Sequence, residues 1–285
     1  MFEPWKTDPD FTQNYLILIA VKSLWVKQIF LQLDELGIPH ISSDAYTAAL
    51  LWERTKNIGR LLEDDYSRTA YFGLAWYWLT HDISLLQHSS EQYFEIPPFS
   101  YPLSEVVADI GAYVGDTTEE YIRRSFGKIK VYAFEPDDSN LKCLELRVNR
   151  LKSEWHINDS DIIIILVGVA DETKNVFFCN EEFSAASYLS DLGTKYVNIF
   201  SLDDYFKDKQ LPTVIKADIE GAEKDMIRGA KKIIKELKPK MAICIYHKSD
   251  DFVKITEMIN YLNPEYNFSV RTHSPNYEDT VLYCY

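Results

Sequence analysis

The chain is 285 residues long, 46% hydrophobic and carries a formal net charge of −14. That length supports a sizeable core in one large domain or one domain plus a smaller one, and the acidic balance leaves no broad cationic surface to neutralise a nucleic acid. The four cysteines, Cys143, Cys179, Cys244 and Cys284, show no CxxC pairing, so neither a disulfide framework nor a zinc site is signalled and a reducing cytoplasm fits best.

The opening "MFEPWKTDPDF" lacks the cationic and apolar regions of a secretory signal. Residues 15–33, "YLILIAVKSLWVKQIFLQL", are interrupted by Lys22, Lys27, Gln28 and Gln32. They fall short of the about 18 apolar residues of a membrane span and read as a buried or docking helix. Helical spacing continues over residues 43–62 and 65–79, where Asp64, Asp65 and Ser67 compete to cap the second stretch. Three prolines in "EIPPFSYPL", residues 95–103, break the pattern. The break divides the chain into an N-terminal helical segment, residues 1–100, and a second domain, residues 101–285.

Beyond the junction, β-branched runs alternate with helical stretches at 117–126, 139–151, 223–236 and 250–262. The runs are "VVADI", "KIKVYAF", "DIIIILVGV", "PTVIKADI", "MAICIY", "NFSVRT" and "DTVLYCY". This alternation predicts an α/β fold with a mostly parallel sheet covered by helices on both faces. Residues 176–203 are less regular, with short strands expected at 176–178 and 196–200, and read as an insertion near the ligand side.

The first strand of that domain runs into "VVADIGAYVGDT", in which Gly111 and Gly115 allow a tight turn into a helix whose backbone N–H groups face a ligand. The spacing is DxGxxxG instead of GxGxxG. Asp109 disfavours a diphosphate and favours a ligand carrying ammonium or sulfonium charge, as S-adenosylmethionine does. Glu135, in "YAFEP", stands at the offset from the turn where an acidic side chain meets ribose hydroxyls. "LVGVADE" leaves room for a flat adenine at 168–170, with Asp171 placed to accept from its amine. The fourth strand ends in "VIKADIEGAEKDMI", where Asp218, Glu220 and Glu223 are too many carboxylates for helix capping alone. The fifth ends at His247, whose ordinary pKa range suits a general base, with Asp218 and Glu220 as rivals. The three acids also offer oxygen ligands to a divalent metal, although no metal-ligand spacing signals one.

Together "VVADIGAYVGDT", "VYAFEP", "VGVADE", "IKADIEGAE" and "AICIYHK" resemble the FkbM-type S-adenosylmethionine-dependent methyltransferases over residues 105–285. "LLEDDYSRTAYFGLAWYWLTHD" and "EQYF" resemble the helical segment that precedes this domain in longer members. The resemblance implies a class I, Rossmann-like sheet of seven strands with the last antiparallel, and methyl transfer to an oxygen, often a sugar hydroxyl. It places Asp109, Gly111, Ala112, Tyr113, Gly115, Asp116 and Thr117 around the methionine end, joined by Asp218. Glu135 and Pro136 fall at the ribose, and Val169, Ala170 and Asp171 at the adenine. Asp218, Glu220, Glu223 and His247 fall at the reaction centre; Tyr93, also a candidate substrate-binding residue, and Phe94 read as a cover over the cofactor or as core packing. The expected partner is a small-molecule or glycan acceptor, with oligomeric state, including a homodimer, left open. Two other readings compete: a nicotinamide-dependent oxidoreductase or epimerase, which expects a GxGxxG turn and a Tyr-Lys pair absent here, and a non-catalytic binding module on the same fold.

Overall fold

The computed structural model describes residues 16–20, 23–179, 188–189 and 195–285. The opening stretch read as non-secretory, 1–15, and parts of the irregular stretch, 180–187 and 190–194, lie outside the described residues. The first elements are β1 (Ile17–Ile19), α1 (Ser23–Glu35), β2 (His40–Ser42), α2 (Ser43–Leu50), α3 (Trp52–Gly59) and α4 (Asp65–Thr80). Two expectations change here. The helix anticipated over 15–33 starts only at Ser23, because the β-branched Ile17–Ile19 run pairs in parallel with β2. The helix anticipated over 43–62 is two, separated at Leu51 (φ −91, ψ 0). Asp64 wins the competition to cap α4, accepting from the Ser67 N–H at 2.6 Å and from its hydroxyl at 2.9 Å. Among the described residues no helix is long and apolar enough to cross a membrane.

The proline-rich junction holds a four-residue helix, α5 (Pro97–Ser100). Then follow β3 (Val106–Ile110), α6 (Asp116–Arg124), β4 (Lys130–Phe134), α7 (Asp138–Trp155), β5 (Ile162–Ile165), β6 (Gly168–Val169), β7 (Lys174–Cys179), β8 (Tyr188–Leu189) and β9 (Lys195–Phe200). The chain closes with α8 (Leu202–Tyr205), β10 (Val214–Ala217), α9 (Glu223–Gly229), α10 (Lys231–Leu237), β11 (Lys240–Cys244), α11 (Asp251–Leu262), β12 (Phe268–Thr272) and β13 (Thr280–Cys284).

Seven strands form the main sheet in the order β12-β13-β11-β10-β3-β4-β5, parallel except for β13. The run anticipated as one strand over 161–169 divides. Val167 N–H closes a tight turn onto Ile165 O at 2.9 Å, and β6 leaves to pair with β9 in a smaller sheet ordered β6-β9-β7-β8. The anticipated 223–236 helix also divides, at Ala230 (φ −114, ψ 17), just after Gly229 meets the Ala170 carbonyl so closely that an added Cβ would lie 2.0 Å from it.

Period-two alternation along the buried strands sorts the core into two layers. Ala108, Tyr132, Ile215, Met241 and Leu282 face a layer that includes α4, α9, α10 and α11. Val107, Val131, Val214, Ala242 and Val281 face α6, α7 and the 93–99 segment. Tyr71 of α4 packs on Phe252 of α11 with ring centroids 5.5 Å apart, so the N-terminal helices contribute to the same core as the sheet. Parallel strands ending side by side leave a crevice at their carboxyl ends, where the order reverses between β3 and β10.

Candidate active site

A cavity of about 770 Å³ opens at that crevice, beyond the ends of β3, β4, β10 and β11. Gly111 turns the chain out of β3 with φ +75, and an added Cβ would lie 1.9 Å from Asp218 O, so no side chain fits where the turn abuts the end of β10. Gly115 (φ +83) starts α6 against Leu144 of α7. Gly111, Tyr113, Asp116 and Thr117 line the cavity, whereas Ala112 is buried behind them.

Asp109 departs from its expected place. It does not line the cavity: it is fully buried, accepts from the Thr118 hydroxyl at 2.6 Å and pairs with Lys216 Nζ at 3.2 Å. Lys216 Nζ also donates to Gly111 O at 2.7 Å, which anchors the turn to β10. Burial pushes the Asp109 carboxyl up, while its charge and that of Asp218 hold the Lys216 ammonium above its ordinary range. Asp109 thus faces an internal cation and does not present its charge to the cavity.

Glu135 and Pro136, at the end of β4, line the cavity. Glu135 Oε2 accepts from Tyr113 N–H at 2.9 Å, and Oε1 accepts from Asp137 N–H at 2.9 Å and Asn140 Nδ2 at 3.3 Å. Burial raises its pKa against these three donors. The carboxylate is locked in orientation, and three of its four acceptor sites are taken, leaving one on Oε2. Val169 lines the wall; Ala170 lies buried beneath Gly229 and Asp171 is exposed, so neither reaches the cavity.

Four carboxylates and one imidazole gather past the ends of β10 and β11 and at the β12–β13 connection. His247 Nε2 lies 3.4 Å from Asp218 Oδ1 and 3.7 Å from Glu220 Oε2, and Nδ1 lies 3.1 Å from Glu223 Oε1. Burial disfavours the imidazolium, but Glu223, Asp218 and Glu220 outweigh it and hold the ring up to about 9. Glu223 is wholly buried beneath the ring and does not line the cavity; its Oε1 accepts from Ile219 N–H at 2.9 Å. Asp218 Oδ2 accepts from the Tyr93 hydroxyl at 3.0 Å and Oδ1 from the Tyr246 hydroxyl at 3.4 Å. The fourth acid, Asp279, accepts from Gln92 Nε2 at 3.0 Å across the mouth. Of nine non-glycine residues with left-handed φ among the described residues, Tyr93, Tyr113, Glu220 and Asp279 line this cavity, and such strain concentrates where a site demands it.

The Methyltransferase FkbM domain matches residues 109–270, more than half of the chain. The chain belongs to the FkbM methyltransferase family. A crystal structure of methyltransferase FkbM from Methylobacillus flagellatus shares the fold at TM-score 0.70 and 24% identity, covering 94% of this chain and 73% of that one. Fibrillarin from Aeropyrum pernix with natively bound S-adenosyl-L-methionine superposes at TM-score 0.40 and 10% identity, covering 64% and 67%. No curated protein matches the sequence.

Cavity residues that the motifs did not single out include Lys216 and Tyr246 within the matched 109–270, and Gln92 and Asp279 outside it. Lys216 was signalled as a lone cation inside an apolar strand run, which requires a buried partner. Tyr246 adjoins His247, their rings tilted by 36° with centroids 4.1 Å apart, but a tyrosine at a strand end resembles core packing. Gln92 and Asp279 belong to no motif; only the tertiary fold brings them together.

Proposed function

We propose that this protein transfers a methyl group from S-adenosylmethionine to a hydroxyl of a sugar or glycan-type acceptor. The observation that carries the reading is one cavity holding the glycine turn, flanked by Glu135 at the end of β4 and by Asp218, fixed by the Tyr93 and Tyr246 hydroxyls, at the end of β10. The residues present fit such a cofactor. Asp116, Glu135 and Asp218 wall the cavity and the strand lysine is already neutralised by Asp109, which suits a cationic ligand.

In this reading Gly111, Tyr113, Asp116 and Thr117 hold the methionine end, Glu135 accepts from one ribose hydroxyl through Oε2, and Val169 flanks the adenine. The bound cofactor supplies an electrophilic methyl group on a sulfonium. Asp218 takes the acceptor's proton. Its side chain is 25% exposed, whereas that of His247 is 8% exposed and hemmed in by carboxylates, so the carboxylate is the group an acceptor meets. The two tyrosine hydroxyls aim it, and His247 sets its other flank. The N-terminal segment, residues 1–100, supplies Gln92 and Tyr93 to the acceptor side, while 101–285 supplies the cofactor side.

Calorimetric titration with S-adenosylhomocysteine tests the cofactor half. Replacing Glu135 with Gln removes charge from the ribose hydrogen bond, about 1.5–3 kcal/mol, or roughly 10- to 150-fold in Kd. Absence of binding by the wild type at millimolar ligand, or an unchanged Kd in E135Q, would overturn the reading. Tritiated-methyl transfer to glycan fractions, abolished in Asp218→Asn, tests the acceptor half.

A further inference from the structure

We propose that Asp218, Glu223 and His247 bind one first-row divalent transition cation. The donor atoms of these three side chains lie within 4.8 Å of one another, close enough for small side-chain movements to bring them around a single ion. One feature points to a missing ligand. Glu223 is completely buried and its Oε2 has no hydrogen-bond donor, so one oxygen of a carboxylate sits in the interior without a partner. Buried polar groups left in this way are uncommon and mark an ion or a water that belongs there. The buried His247 ring already stands in charge-pair contact with the same two acids, Nδ1 3.1 Å from Glu223 Oε1 and Nε2 3.4 Å from Asp218 Oδ1, so the three side chains form one cluster.

The neighbouring cations are already committed. Lys216 Nζ is held by Asp109 and Gly111 O, and Lys248 Nζ donates to Gly221 O. A divalent ion bound here takes the place of the His247 proton between Asp218 and Glu223, since a ring nitrogen must be deprotonated to ligate it. One imidazole with two carboxylates suits manganese, iron, cobalt or zinc, whereas calcium and magnesium prefer all-oxygen sets. Asp218 lies on the cavity wall, so the ion would present an open coordination position to the oxygen of an incoming hydroxyl. That role rests on the hydroxyl-methylating reading; the binding of the ion does not.

The test uses the intact, chelator-stripped protein and Mn2+ as the probe, with bound ion read from loss of the free Mn2+ electron paramagnetic resonance signal. The expected result is one ion per chain, with affinity falling roughly tenfold or more in E223Q and in H247Q. Asp279→Asn, which removes an acid of the same cavity outside the donor set, keeps the wild-type affinity within about twofold, as expected for a non-ligand. Circular dichroism checks that each variant is folded, and E223Q and H247Q serve as alternates if one is not. No Mn2+ bound at millimolar concentration, or equal weakening in D279N and the two ligand variants, overturns the proposal. Titration of S-adenosylhomocysteine in chelator separates the two claims: cofactor binding without Mn2+ binding sinks the metal site alone, and the reverse sinks the cofactor reading alone.

Discussion

Lys216 is the keystone of the glycine turn, and Lys216→Met isolates its contribution. The substitution keeps the length and apolar stem of the side chain but removes the ammonium that pairs with Asp109 at 3.2 Å and donates to Gly111 O at 2.7 Å. Asp109 and Lys216 are essentially inaccessible, with side-chain exposures of 0% and 3%, so solvent cannot replace the lost partner. Breaking one side of a buried ion pair costs about 3–5 kcal/mol, because an uncompensated charge is left behind. For a chain of this size that lowers Tm by roughly 6–15 °C. The double variant Asp109→Asn with Lys216→Met removes both charges and recovers most of the loss, giving a coupling energy of about 2 kcal/mol or more. Urea unfolding of the four proteins measures the cycle. A K216M protein within about 1 kcal/mol of wild type, or a double variant that merely sums the singles, would refute the claim that this pair carries the turn.

Gly111→Ala forces a Cβ to within 1.9 Å of the Asp218 carbonyl at φ +75, so the turn must move. We expect a loss of more than about 2 kcal/mol in stability together with S-adenosylhomocysteine binding, measured by urea unfolding and calorimetry. His273 bonds Tyr283 and Ser89 O, and burial, with Arg271 and His88 nearby, pushes it down to about 4 from 6.5. The unfolded chain therefore takes up the proton first: the stability contribution is complete above pH 6.5 and is lost as pH falls toward 4, by about 2–3 kcal/mol. A His273→Gln protein should lack that acid-side loss in unfolding titrations, and an unchanged pH profile would remove His273 from the account.

The sheet was legible because its strands are buried on both faces and therefore appear as β-branched runs broken by helix-length segments. What escaped depends on events local to the backbone. The tight turn at Val167 splits one apolar run between two sheets, and Leu51 and Ala230 interrupt helices whose apolar stripes continue unbroken through them. At the site, Gly111 and Glu135 could be placed because a turn and a strand end fix their positions relative to the sheet. The role of Asp109 could not, since its charge was read as free when a lysine 107 positions later in the chain neutralises it. Periodicity identifies which face a residue occupies, but it does not reveal which buried charges meet.

The two sides of the cavity are built differently, and this bears on how acceptor choice can vary. On the proposed reading, the cofactor side is assembled from consecutive strand ends whose backbone hydrogen bonds are internal to the sheet: Gly111 N–H to Phe134 O, Glu135 N–H to Ile165 O. A change there disturbs the fold itself. The acceptor side depends on long-range side-chain contacts. Tyr93 is held in its left-handed conformation by its N–H donating to the Tyr283 hydroxyl at 2.9 Å, and Gln92 reaches Asp279 across the mouth. Neither contact belongs to a secondary-structure ladder, so Gln92 and Asp279 can change without loss of the sheet that carries Glu135 and Asp218. Variation in the acceptor should therefore be written in the 92–93 segment and the β12–β13 connection, while the strand ends stay fixed. Exchanging Gln92 and Asp279 together should alter which hydroxyl compounds are methylated and leave S-adenosylhomocysteine affinity within about threefold of wild type. A parallel loss of cofactor affinity in that double variant would show that the two sides are not separable in this way.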